Sequence, residues 1–249
     1  MLATLSPTDL LLLLLGAAGI GVSKSGFAGV SMVHVLVFAF VFGAKDSTGI
    51  LLPMLIIGDL LAIWFYGKKV QWAQVRRLLP PAMVGVVLGT VLMDQMDEKV
   101  FKPTVGVIIL GLTLIQIIRI WRPHLFDKIP HQMWFAWTLG LLAGTTTMMA
   151  NAAGPVVALY LLAVSLPKLE LVGSSAWFFL VINVFKLPFS YSLGLIGPQS
   201  LALDVLFAPA ILVGMLCGKW MVKRIPQKLF DSLLLGFTAF AALRLVGLF

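Results

Sequence analysis

Apolar stretches at 9–22, 27–43, 49–66, 78–93, 101–121, 133–149, 152–165, 172–195, 201–218 and 229–248 follow one another along the chain with short polar punctuation. Several approach the roughly 20 apolar residues that carry a helix across a bilayer, so the pattern predicts about ten hydrophobic segments. Two junctions are unusual. Only Ser23-Lys24-Ser25-Gly26 parts the first segment from the second, and Ala150-Asn151-Ala152-Ala153-Gly154-Pro155 splits the sixth from the seventh. Neither reads as an aqueous loop. Both predict a chain reversal or a helix interruption at membrane depth, which a bilayer tolerates only where backbone is buried in protein or lines a wet cavity. Two interrupted or re-entrant helix pairs, 9–43 and 133–165, are therefore expected, with the choice between re-entrant hairpins and full spans left open.

The two breaks occupy corresponding places. Leu15-Gly16 matches Leu139-Gly140 at an offset of 124, which also pairs Gly49 with Gly173 and Asp59 with Asn183. Farther along the offset becomes 129, pairing Pro80 with Pro209, Gly85 with Gly214, Gly89 with Gly218, Lys99 with Lys228 and Phe101 with Phe230. Such a run of matches predicts a duplication, with repeats at 1–125 and 126–249 forming a single transport domain. Charge supplies the orientation. Lys68, Lys69, Arg76 and Arg77 mark the loop after the third segment as cytoplasmic. Counting segments from there puts twelve basic residues inside and four outside, with both termini outside. The acidic loop at Asp97-Glu98 then faces out and its partner at Lys223-Arg224 faces in. The expected fold is an all-α integral membrane protein of two inverted five-segment repeats, an architecture of secondary transporters that bind substrate near the midplane.

Composition agrees and narrows the classes. The 249 residues are 60% hydrophobic and 11% charged, and mean hydropathy is +1.05. A soluble surface needs about 25% charged residues. The net charge of +8 falls in short clusters between apolar runs, a membrane-orienting pattern rather than a nucleic-acid surface. Cys217 is the one cysteine, which excludes an intrachain disulfide and a CxxC pair. The apolar start superficially resembles a secretory signal, yet it carries Asp9 and no Lys or Arg before its apolar run, and it is read as retained.

Lys24, Asp59 and Lys186 lie inside apolar segments. A charge at a helix centre costs about 2.5–3.5 kcal/mol even on a lenient insertion scale, so each needs a partner, a wet cavity or a function. Two lysines against one carboxylate leave a positive charge at membrane depth, and that surplus suits an anion. Lys186 follows Asn183 by three residues, placing both on one helix face. Asp59, pseudo-symmetric with Asn183, is either a counter-ion to a lysine or the carrier of a coupled proton or sodium ion. Half-helix N-termini at the breaks would add unpaired N–H groups and the positive end of a dipole. Ser23, Ser25, Gly26 and Gly29 in one half, with Thr147, Asn151 and Gly154 in the other, complete the candidate anion site. Small residues also serve plain helix packing in membranes, and Thr145 and Thr146 fit that role.

Other chemistries find no support. His34 stands alone in an apolar run and His124 and His131 fall in one loop, so no metal-ligand cluster forms. No GxSxG, HExxH or phosphate-binding glycine loop occurs, and nothing calls for a cofactor. An intramembrane enzyme is the weaker alternative, and an anion channel with the same site the nearer one.

At Gly21-Val22-Ser23-Lys24-Ser25-Gly26-Phe27, at Asp59, at Asn151-Ala152-Ala153-Gly154-Pro155 and at Asn183-Val184-Phe185-Lys186-Leu187-Pro188, the chain resembles the TauE/SafE family of sulfite and organosulfonate exporters. The resemblance covers essentially the whole chain. It implies a permease of the bacterial inner membrane moving a small sulfur-containing anion such as sulfite, sulfoacetate or another organosulfonate. Two departures stand out. Many members carry three glycines where this chain reads Ala28-Gly29-Val30, and a His-Ala-Gly-Gly-Pro run where it reads Asn151-Ala152-Ala153-Gly154-Pro155. The second removes a candidate proton-linked group. An inside-negative potential favours outward movement of a monoanion by about 2.3 kcal/mol per 100 mV, so export is the expected direction.

Overall fold

The computed structural model describes residues 5–27, 30–122, 133–164, 166–221, 224, 239, 243, 246 and 247. These form helices α1 (Pro7–Lys24), α2 (Ser31–Phe42), α3 (Asp46–Tyr66), α4 (Trp72–Gln95), α5 (Glu98–Trp121), α6 (Met133–Ala150), α7 (Gly154–Ala163), α8 (Lys168–Ser192) and α9 (Pro198–Met221). A 3-10 turn, Gly67–Lys69, follows α3, and no strand occurs among the described residues. The first nine expected segments each coincide with a helix; the tenth, 229–248, lies almost wholly outside the described residues.

Local chemistry starts these helices where the pattern ends. Ser6 caps α1 by accepting from the Asp9 amide, and the Asp9 carboxylate accepts from the Ser6 amide at 3.0 Å, a reciprocal box that satisfies two otherwise unpaired donors. Pro7 at the first position loses nothing, since its amide would have had no partner. Asp97 caps α5 through the Val100 amide at 3.0 Å.

Six described helices are long and apolar enough to cross a membrane, Pro7–Lys24 and Lys168–Ser192 among them. Apolar side chains such as Trp64, Val107 and Val205 stand more than half exposed around the outside, the surface that lipid covers. The 12 residues of α2 and the 10 of α7 reach only about 18 and 15 Å at 1.5 Å per residue. Both fall short of a bilayer core of about 30 Å. The structure therefore favours interrupted hairpins over full spans for both short segments.

Contacts give the directions. Gly49 packs on Leu195, Gly67 on Trp177 and Gly173 on Tyr66, so α3 and α8 run antiparallel. Gly214 meets Ala18 and Gly218 meets Val22, making α1 and α9 parallel; Gly140 meets Leu78 and Gly89 meets Met148, making α4 and α6 parallel. At one end of the bundle the Glu98 carboxylate accepts from the Ala44 amide at 2.9 Å, and Lys45 donates to the Met96 carbonyl at 2.9 Å. At the other end, Gln71 donates to Glu170 at 2.9 Å and the Trp177 indole donates to Gly67 at 3.2 Å, beside Lys68 and Lys69. The acidic and basic loops grouped by charge are thus gathered at opposite ends. The α1–α2 hairpin opens at the acidic end, where Gly43 abuts Glu98. The α6–α7 hairpin opens at the basic end, where the Tyr160 hydroxyl lies 2.9 Å from the Gln74 side-chain oxygen.

The two parallel pairs approach backbone to backbone. A Cβ on Gly214 would collide with the Ala18 carbonyl, and one on Gly21 with the Ile211 carbonyl. The second pair repeats the arrangement with Gly85 against Leu141 and Gly144 against Ala82. Small residues permit such contact where lipid offers no hydrophobic drive. Gly214→Leu is expected to abolish a monodisperse peak in detergent chromatography. Gly111→Ala in α5, where a Cβ meets nothing within 4 Å, is expected to leave that peak intact and to add up to about 0.5–1 kcal/mol of stability.

Candidate functional site

Lys24 ends α1 and reaches α3, where its ammonium meets Asp59 Oδ1 at 2.5 Å. Asp59 has no exposed surface, and its second oxygen accepts from Asn183 Nδ2 at 2.8 Å. The pair matched at an offset of 124 is therefore one hydrogen bond. Both carboxylate oxygens are engaged, one in an ion pair with Lys24 and one with Asn183. The Lys24 ammonium also lies 4.4 Å from the Phe179 ring centre, a cation–π distance.

The second lysine is held differently. Lys186, buried on α8, donates to Asn151 Oδ1 at 2.5 Å, to the Thr147 carbonyl at 2.8 Å and to the Thr147 hydroxyl at 3.4 Å. These partners account for its three N–H groups and are all neutral. Asn151 takes a left-handed conformation, φ +50°, which breaks the helix between α6 and α7, and its amide donates to the Thr48 carbonyl at 2.9 Å. Asparagine tolerates this region better than most residues. One charge pair and one lysine with neutral partners are thus built into the junction of α1, α3, α6 and α8.

Depth follows from helix rise. Asp59 stands seven residues before the end of α3 and Lys186 six before the end of α8, about 10 and 9 Å from their respective ends. Since α3 and α8 are antiparallel, the Lys24 and Asn151 breaks sit inside the bundle and approach it from opposite faces.

Between the breaks lies a cavity of about 90 Å³; a single water needs about 10–15 Å³ by this measure, so it holds several waters or one small oxyanion. Ser23, Lys24 and Gly26 line it from the first break, Thr147, Asn151 and Gly154 from the second, and Asn183 from α8. Ser31 and Gly154 are the first residues of α2 and α7. Both face the cavity, and they touch, a Cβ on Gly154 standing 2.8 Å from the Ser31 hydroxyl. Two short helices thus bring their N-termini, the positive ends of their dipoles, to one point.

Three expectations need correction. Ser25 is turned away: its hydroxyl donates to Val22 at 2.7 Å and packs on Gly218 of α9. Lys186 stands behind the wall formed by Asn151 and Thr147 rather than on it. Asp59 is not the one carboxylate inside an apolar segment: Asp204 is 2% exposed within α9. It follows the start of α9 at Pro198 by six residues, so it is drawn into the bundle. Gly29 lies outside the described residues. Thr145 and Thr146 bond backward to Leu141 and Leu142, as packing residues do.

Several wall residues escaped the sequence reading. His34 and Ser31 of α2 line the cavity, as do Ser175 and Phe179 of α8. The spacing 175, 179, 183, 186 marks one face of a helix, so that stripe was available in the sequence. His34 gave no such signal. Its Nδ1 is buried without a partner, as is Asn183 Oδ1.

Because Asp59 is fully buried where it neutralises Lys24, removing one partner costs more than removing both. Asp59→Leu is expected to lower stability by about 3–5 kcal/mol, and adding Lys24→Met to restore most of that loss, measured by thermal unfolding in detergent. Equal losses in the single and double variants would refute the pairing.

Neither a curated protein nor a solved structure matches the chain. Residues 11–245 match the family described as sulfite exporter TauE/SafE. Spanning nearly the whole chain, that match joins the multi-pass helical fold: the chain belongs to the TauE/SafE sulfite exporter family, a family of membrane transporters rather than enzymes.

Proposed function

We propose that the protein is a secondary transporter exporting a small sulfur-containing anion, such as sulfite, sulfoacetate or another organosulfonate, across the bacterial inner membrane. The anion binds at mid-membrane between two inverted repeats, with both termini outside. The observation that carries this reading is the cavity where the α2 and α7 N-termini meet beside Lys24, with Lys186, held by neutral partners, immediately behind. Helix N-termini and lysines favour negative charge, and one anion would balance the surplus cation. Ser23, Gly26, Thr147, Asn151, Gly154 and Asn183 supply the surrounding polar and close-packed wall.

The inverted repeat is supported by the helix directions. Equivalent helices α3 and α8 are antiparallel, as a twofold axis in the membrane plane requires. The glycine contacts of α1 on α9 map onto those of α6 on α4: Gly21 to Gly144 and Ala18 to Leu141 at an offset of 123, Gly214 to Gly85 and Ile211 to Ala82 at 129. Ser31 and Gly154, which touch, also stand 123 apart. Lys24 acts on the anion directly, whereas Lys186 acts through its field and by fixing Asn151 and Thr147.

Loss of a charged hydrogen bond of about 1.5–3 kcal/mol predicts at least about a tenfold fall in sulfite or sulfoacetate flux for Lys24→Met in proteoliposomes. Lys186→Met is expected to fall comparably, with both variants still reaching the membrane. In thermal unfolding, an anion at 100 times its dissociation constant should add about 2.7 kcal/mol to the wild type. Near-wild-type flux in both variants, or no stabilisation by any sulfur oxyanion, would overturn the site.

A further inference from the structure

Two residues that line the cavity each hold a buried atom without a partner, a ring nitrogen of His34 and the amide oxygen of Asn183. The ionisable groups of the neighbouring junction are committed. Asp59 is bonded through both oxygens to Lys24 and Asn183, and Lys186 is surrounded by Asn151 and Thr147. His34, in the first turn of α2, is 1% exposed and lines the cavity, and its Nδ1 is buried with no hydrogen-bond partner. A buried polar atom left unpaired in a folded protein calls for an explanation, and a ligand or ion is a standing one. Of the charged groups near His34, Lys24 of α1 lines the cavity, while Asp59 of α3 and Lys186 of α8 stand behind the wall, bonded to the lining residues Lys24 and Asn151. The cavity faces of α6 and α7 contribute neutral groups only, Thr147, Asn151, Gly154 and Ala158. From α5, the Thr113 hydroxyl meets the Met32 sulfur of α2, also neutral.

Charge arithmetic gives His34 its task. Lys24, Asp59 and Lys186 sum to one positive charge, which matches a monoanion. A dianion leaves one negative charge unbalanced, and a proton on His34 Nδ1 would balance it. Without a second negative charge in the cavity, an imidazolium there would face Lys24 and Lys186 uncompensated. The proton and the second anionic charge therefore favour each other's binding, and by linkage each raises the affinity for the other.

Building on the anion-carrier reading, we propose that His34 is the proton-accepting residue of the cavity and sets its charge class: neutral with a monoanion, protonated from solvent with a dianion. Each dianion then moves with one proton. The complex carries one net negative charge, so its outward passage still follows an inside-negative potential.

The test is titration calorimetry on the full-length protein in detergent at pH 7.5, in two buffers of different ionisation enthalpy, which counts protons taken up on binding. Ethanesulfonate and sulfoacetate are the probes, one and two negative charges that do not titrate near that pH. Uptake should approach about one proton with sulfoacetate and about none with ethanesulfonate. His34→Asn and His34→Gln should abolish the uptake and weaken sulfoacetate at least tenfold, with ethanesulfonate changed less than threefold. Sulfoacetate binding without uptake in the wild type overturns the proposal whatever the variants do. Uptake that persists in both variants overturns the assignment to His34. Both of those results leave the anion site intact, whereas no heat with either probe or with sulfite overturns the carrier reading together with this one.

Discussion

Asp59 is where the interior is tied together. Its carboxylate has no contact with solvent, and its two oxygens hold the end of α1 through Lys24 and the middle of α8 through Asn183. An unpaired charge at this depth would cost several kcal/mol, so the three helices can assemble only with that junction closed. The consequence is positional. Closing it fixes where α1 stops, hence where the first helix break falls, hence where α2 begins. Lys186 does the same from the other side with neutral acceptors, holding Asn151 in the left-handed conformation from which α7 starts. Two interior lysines, Lys186 buried and Lys24 on the cavity wall, thus set the depth of two helix N-termini.

Much of this can be read in the amino-acid sequence because it depends on rare residues in an apolar background. Lys24, Asp59, Asn183 and Lys186 stand out where almost everything else is hydrophobic, and the 124-residue offset pairs two residues that the structure joins by a hydrogen bond. The breaks are legible because Ser-Lys-Ser-Gly and Asn-Ala-Ala-Gly-Pro cannot continue an apolar helix undisturbed. What escapes is direction around a helix axis. In α2 nearly every position is apolar, so no stripe distinguishes the cavity side and His34 looks isolated. Ser25 fails for the opposite reason: one step past Lys24, the last turn of α1 rotates it onto α9. Asp204 is passed over because it stands only three residues into the apolar stretch 201–218, whereas α9 begins earlier, at Pro198, and buries the carboxylate.

The glycine contacts decide which parts can shift if the cavity is to open to alternate sides. Gly21 and Gly214 press α1 onto α9, and Gly85 and Gly144 press α4 onto α6, each at backbone distance. Such interfaces have no side-chain slack, so each pair moves as one body. The first hairpin is therefore bound to a helix of the second half, and the second hairpin to a helix of the first. The hairpin tips meet through the Ser31 side chain and Gly154. Between α3 and α8 the Asp59–Asn183 side-chain bond stands beside close backbone contacts, Gly49 on Leu195 and Gly173 on Tyr66. Side-chain hydrogen bonds can be exchanged for bonds to water or to a bound anion, whereas backbone carbonyls packed against glycine cannot. The contact between the two bodies that side-chain rearrangement can change is therefore the one at the hairpin tips, beside the cavity.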